Sequence, residues 1–199
     1  MDVLKPAALM LPLLLPGCGV LGITCSNGYL EECDGYPIEE AYWDVRTRVP
    51  GAWTPVGNMP TANEADYDGY AQVIPRYGVV QGERMHARVH LDANFDESAV
   101  SGKMDQFYTL YRAVYGTVTI ENGVISGNTF AADLSGEING GGFISGSPGM
   151  ATVDGTMSGR FHGNAAQGIV ANVDADLTYA DTVYGFLDGN AYLLETPAP

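Results

Sequence analysis

Three histidines, three cysteines and twelve tyrosines are the side chains of this 199-residue chain with the most chemistry to offer. His86 and His90 stand four apart. On an extended strand that spacing puts them on one face but about 13 Å apart, too far to share a metal ion. A haem iron needs only one axial His or Tyr. Tyr108, Tyr111 and Tyr115, in the run FYTLYRAVY, form an aromatic cluster suited to a flat apolar ligand, and they are the candidate ligand-binding residues. Cross-strand aromatic pairing is the plainer account of the same tyrosines. A search for catalytic groups finds none: no serine sits in a nucleophile elbow and there is no HExxH. Asp92 with Asp96, or Asp174 with Asp176, reads as a solvated outer wall rather than an acid and base. Gly140, Gly141 and Gly142 precede neither a lysine nor a helix start, so they read as a hairpin loop and not a phosphate cradle. No catalytic residue, metal or cofactor is expected, and the chain is not expected to be an enzyme.

All three cysteines lie near the N-terminus. Residues 7 to 15, AALMLPLLL, follow Lys5 and make a short apolar run that Pro12 and Pro16 break, so it reads as a signal sequence and not a membrane span. The stretch Leu15-Pro16-Gly17-Cys18 resembles the lipobox of bacterial lipoproteins, with Pro16 an unusual member. Processing there leaves Cys18 as the N-terminus, where a thioether-linked diacylglycerol and an acylated amine supply the two lipid signals that stable anchoring needs. Ordinary secretory cleavage that discards Cys18 is the alternative. Cys25 and Cys33 then remain, in a segment rich in Gly, Asn and Asp, and are expected to pair; closing that short loop contributes about 2 kcal/mol on the chain-entropy model. The rival reading, a metal site, lacks the other ligands of a tetrahedral set.

The elements that must position these residues are strands. With 24 Asp+Glu against 9 Lys+Arg and a net charge of −15, the chain has no basic cluster to neutralise phosphates, which excludes nucleic acid as a partner. A 46% apolar content is enough for one cored domain. Residues 38 to 49 read as a short helix or an irregular covering segment that ends at Pro50-Gly51. From Tyr67 onward the period is two. In residues 85 to 95 Met85, Ala87, Val89, Leu91, Ala93 and Phe95 point one way and His86, Arg88, His90, Asp92 and Asn94 the other. Further segments of this kind follow at 98–107, 113–120, 124–138, 151–162, 169–177 and 183–193, separated by turn residues such as Glu121-Asn122-Gly123, Gly163-Asn164 and Asp188-Gly189. Strands at that spacing without helical intervals make an antiparallel meander. The expected fold is all-β, an eight-stranded antiparallel up-and-down β-barrel preceded by an irregular leader and a lipoprotein signal, because closure removes the edges. A β-sandwich is the alternative. The expected organisation is a signal peptide at 1–17, a leader at 18–66 and the barrel at 67–199.

The run DGTMSGRFHGNAAQGIVANV, Asp154 to Val173, resembles the signature hairpin of the transferrin-binding-protein-like barrel domain, G-x-x-x-G-x-F-(Y/F)-G-P-x-A-x-E-x-x-G. Gly155, Gly159, Phe161, Gly163 and Ala166 agree. His162, Asn164, Gly168 and Ala171 replace the second aromatic, the proline, the acid and the last glycine. Val89 to Asp105 is similar to the family's L-x-x-D-F-x-x-x-T-V-S-G-x-I hairpin through Phe95, Val100, Ser101, Gly102 and Met104, and Tyr67 to Ala71 to its Y-x-G-x-A opening strand. The resemblance covers about Tyr67 to Leu193. It implies a barrel on a lipidated or secreted bacterial surface protein, and the motif residues it implies are structural. Better-known members capture host iron proteins, haem or haem proteins. The expectation is a lipid-anchored binding protein of the bacterial outer membrane, on its cell-surface or periplasmic face, whose partners are the membrane and a protein, haem or other solute. The alternative is a structural envelope lipoprotein whose barrel is filled by Met85, Val89, Leu91, Phe95, Met157 and Phe161. A third reading is an enzyme acting on envelope lipids or glycans.

Overall fold

The structure is a computed structural model that describes residues 35–77, 80–110, 112–139, 149–180 and 182–197. Cys18, Cys25, Cys33, Tyr111 and the Gly140 to Gly142 run lie outside the described residues. The described chain opens with a helix, α1 (Gly35–Arg48), and continues as strands β1 (Glu64–Tyr77), β2 (Val80–Gln81), β3 (Met85–Asn94), β4 (Ala99–Thr109), β5 (Ala113–Val114), β6 (Gly116–Ser126), β7 (Thr129–Asn139), β8 (Met150–His162), β9 (Gly168–Tyr179) and β10 (Thr182–Glu195). The eight long strands each pair antiparallel with the next long strand in the chain, and β10 returns to β1 from Tyr67↔Glu195 to Arg76↔Phe186. That pairing closes the sheet into a barrel, and the sandwich alternative is excluded. The short β2 and β5 extend β1 and β4 at one end.

Alternation places the core. Met85, Ala87, Val89, Leu91, Ala93 and Phe95 are buried, whereas Arg88 and Asp92 face out, so β3 has the phase its sequence predicts. Met104, Ile120, Leu134, Met157, Ile169 and Leu187 from the other walls complete a filled interior. The outer walls carry Asp68, Arg88, Lys103, Asp154 and Asp174, the reverse of the apolar outer band of a membrane-spanning barrel.

The antiparallel course gives the barrel two different ends. The β3–β4, β6–β7 and β8–β9 connections lie at one, with the start of β1. The β1–β3, β4–β6, β7–β8 and β9–β10 connections lie at the other. At the first end the ring of Phe161 lies 6.0 Å from Tyr67, 5.7 Å from Phe95 and 5.8 Å from Phe130, an aromatic plug. Gly159 makes room for it, since a Cβ there would stand 2.3 Å from the Phe130 ring. Gly163 turns the chain at φ +90°, a region that glycine enters without steric cost. The motif residues are thus packing and turning residues.

The segment before β1 completes this end. Of the two conformations open to residues 38–49, the helix is adopted; it stops before Pro50, whose ring disfavours helical backbone at the preceding residue. Tyr42, Val45 and Val49 are buried against the outside of the barrel. Past Gly51 the chain runs as a strap. Thr54 N–H donates to Phe161 O at 2.9 Å, Gly163 N–H to Ala52 O at 2.9 Å, and the Asn128 side chain to Thr54 O at 2.7 Å. The buried Thr54 Oγ1 accepts from Ala166 N–H at 3.2 Å, and Tyr67 O–H donates to Ala166 O at 2.5 Å. Met59 then packs on the core beside Ile125 and Phe95, and β1 begins at Glu64 rather than Tyr67. Residues 35–63 therefore pack on the barrel's wall and floor.

Candidate functional site

Of the candidate tyrosines, Tyr108 and Tyr115 lie among the described residues, and a bulge in β4 decides where Tyr108 points. Between His86↔Tyr108 and Arg88↔Asp105 the β3–β4 register shifts, with Gln106 at φ 51°. Met104, Phe107 and Thr109 then all face inward, and Tyr108 faces out, half-buried on the wall. Tyr115 is 73% exposed at the loop end of β6, its carbonyl accepting from Asn139 N–H at 2.7 Å. The structure brings no ring of Tyr108 against Tyr115; one belongs to the wall and the other to the rim.

The three histidines are separate, each occupied by its own neighbours. His86, expected on a solvated face, is buried because α1 covers it: the Tyr42 ring packs 5.2 Å from it, and Tyr192 packs 5.6 Å from Tyr42. The Gln72 side-chain amide donates to His86 Nε2 at 3.0 Å. Burial depresses the His86 pKa, with Arg84 adding to the effect and Glu39 opposing it, so the ring is held neutral. A 220 Å³ groove lined by Glu39, Arg84, His86 and Leu110 opens beside it. His90 bridges two carboxylates, Asp68 at 3.2 Å and Asp92 at 3.0 Å. Partial burial works against the Asp68 charge, but hydrogen bonds from His90 and Arg88 outweigh it and hold that carboxyl below its usual range. His162 is tied to the strap through Nδ1 and Pro50 O at 2.8 Å. Among the described residues no three His, Cys, Asp or Glu side chains are placed to hold a metal ion.

The loop end carries what the sequence reading missed. Tyr115, Asn139 and Met150 are neighbours across β6, β7 and β8, and the Tyr179 ring lies over Gly149. Beyond Tyr179, Val183, Tyr184 and Phe186 are exposed where a register shift between Val183 and Gly185 disturbs the alternation of β10. Large side chains at both phases of that strand, VYGF, are the one signal in the sequence. Together these residues make an apolar rim. The opposite end is sealed, and its interior is packed.

No protein-family model matches this sequence, and no curated protein is significantly similar to it. Solved structures do match. A mutant transferrin-binding protein B from Haemophilus parasuis Hp5 aligns at 18% identity and a TM-score of 0.50, over 74% of this chain and 29% of that one. The isotype 1 transferrin-binding protein B from serogroup B Neisseria meningitidis aligns at 18% identity and a TM-score of 0.48, over 72% and 28%. This chain thus spans less than a third of the length of those proteins. The likeness is one of fold: a transferrin-binding-protein-like barrel.

Proposed function

We propose that this chain is a lipid-anchored binding protein of the bacterial envelope that captures a protein partner at the loop end of its barrel. The observation that carries this reading is the apolar rim of Tyr115, Met150, Val183, Tyr184 and Phe186 above a filled core. A packed interior leaves no room for a small solute inside the barrel, whereas exposed apolar side chains at one end of a strongly acidic protein make the kind of surface that protein partners cover. The solved structures of this fold are transferrin-binding proteins by name, which makes a host iron-carrying protein the first partner to test.

In this reading residues 1–17 are removed, Cys18 carries the lipid, Cys25 and Cys33 pair within the tether, and the described barrel begins with α1. Of the candidate tyrosines, Tyr115 at the rim is the contact residue in this reading. The test is capture by purified, immobilised protein from three inputs: iron-loaded transferrin, haem and envelope extract. The expected result is retention of a protein by the parent chain and its loss from the Val183→Ser/Phe186→Ser double variant at unchanged thermal stability. Retention by both chains rejects the rim. Saturable haem binding that Tyr115→Phe abolishes favours the haem reading instead.

A further inference from the structure

The strap builds a second exposed feature, on the wall of the sealed end and away from the rim. Trp53 is 61% exposed, although its backbone is fixed as a bridge to His162 and its neighbours Ala52 and Thr54 are hydrogen-bonded to β8 and the turn after it. The Arg160 guanidinium lies 3.9 Å over the Trp53 ring. Arg160 pairs with no carboxylate among the described residues, unlike Arg48, Arg76, Arg84, Arg88 and Lys103. In a chain with 24 acidic residues, an arginine stacked on an exposed tryptophan with its donors unspent is a feature packing alone does not require.

These two residues border a cleft of about 520 Å³, whose polar walls are Thr129, Ser158, His162 and Asn172. His162 is more than nine-tenths buried, and because Pro50 O can only accept, the His162 Nδ1 carries the proton. Its Nε2 has no hydrogen-bond partner among the described residues. The cleft therefore offers one cation, a buried ring nitrogen, hydroxyl and amide groups, and an exposed aromatic ring.

The geometry points to a binding site for an acidic saccharide, a pyranose bearing one carboxylate. Arg160 takes the carboxylate, the exposed ring of Trp53 takes the apolar face of the sugar ring, and Ser158, Asn172 and His162 Nε2 take ring hydroxyls. A single guanidinium matches a single carboxylate; a phosphate dianion would call for a second cation in so acidic a protein. The strap's hydrogen bonds hold Trp53 in place before any ligand arrives, which limits the ordering cost of binding. This site is independent of the rim and stands whether or not the rim captures a protein.

Trp43 and Trp53 are the two tryptophans of the chain, so in a Trp43→Phe background the emission reports Trp53 alone. Titration of that protein with glucuronic acid, in parallel with glucose and with acetate at matched ionic strength, tests the site. The expected result is a saturable change in Trp53 emission with glucuronic acid in roughly the millimolar range, as befits a monosaccharide, and none with glucose or acetate. Arg160→Gln should raise the half-saturation roughly tenfold, the effect of losing one charge-assisted contact. Asn172→Ala, on the outer wall and clear of the strap, should weaken binding by a smaller factor. An equal response to glucose, a response that survives Arg160→Gln unchanged, or no response to glucuronic acid at about a hundred times the expected half-saturation would overturn the assignment.

Discussion

The two ends of this barrel are built from the same strands and held to opposite standards. At the sealed end four aromatic rings meet, Gly159 and Gly163 fill positions that a larger side chain could not, and a strap donates and accepts hydrogen bonds across the floor. At the loop end valine, methionine and aromatic side chains are exposed to solvent. The difference teaches where each kind of information lies. Packing dictates residue type, and so the sealed end can carry a recognisable motif; a docking surface dictates only that something apolar be exposed, and it leaves no spacing to read.

The largest effect expected from substitution belongs to the plug. Phe161→Ala empties the point where Tyr67, Phe95 and Phe130 converge. It should lower stability by about 3–5 kcal/mol, the usual cost of deleting a fully buried aromatic ring. Urea unfolding followed by far-UV circular dichroism measures it. A loss under about 1 kcal/mol would mean that the site can collapse, and that the sealed end is no better packed than a surface.

Next comes the strap. Thr54→Val keeps the shape of a fully buried side chain but removes the oxygen that accepts from Ala166 N–H. Leaving that amide unsatisfied should cost about 1–3 kcal/mol. The same denaturation experiment checks it, and amide exchange at Ala166 should accelerate more than exchange in β3, since the defect is local.

How much of this was legible follows the same division. The inward set of β3, the turn residues and the hairpin motif all follow from local rules of alternation and backbone conformation, and the closed barrel follows from them. His86 shows the limit. Its position on the outer face is correct, yet it is buried, because Tyr42, more than forty residues earlier on α1, lies over it. Tyr108 and Tyr115 show another. Their spacing implies one cluster, but the bulge at Gln106 sets Tyr108 on the wall and leaves Tyr115 at the rim. Trp53 and Arg160 are more than a hundred residues apart in sequence, and only the return of the strap to β8 joins them. The burial of His86 and the Trp53–Arg160 pair are long-range contacts that no window of sequence contains, and the bulge beside Tyr108 is set by the pairing of β4 with β3.

His86 also supplies a smaller, pH-dependent contrast. Burial lowers its folded pKa below 6.5, so the unfolded chain binds more protons there as the medium becomes acidic. The stability this neutral ring allows is complete above 6.5 and is lost as pH falls from 6.5 toward the depressed folded value. The Asp68 contribution has a lower window: it is present above the ordinary carboxylate value of 3.8 and disappears as pH falls through its depressed folded pKa. Between pH of about 7 and 5 the melting temperature of the parent should therefore drop, and His86→Gln should flatten the profile, since an amide does not titrate in that range. An identical slope in both proteins would place the acid sensitivity elsewhere.

The smallest expected change in stability is also the sharpest test of the comparison. Val183→Ser together with Phe186→Ser removes two exposed apolar side chains from the rim. If the rim is a surface held ready for a partner, nothing in the free protein depends on them, and unfolding should shift by no more than about 0.5 kcal/mol. Phe186 does face Arg76 across the β10–β1 seam, and Arg76 pairs with Asp188 at 2.7 Å. That ion pair is exposed and contributes little, so its loosening cannot imitate a packing loss. A destabilisation approaching that of Phe161→Ala would show that these side chains complete the barrel rather than await a partner. The two ends would then be alike in kind, and the loop end would lose its claim to be the binding face.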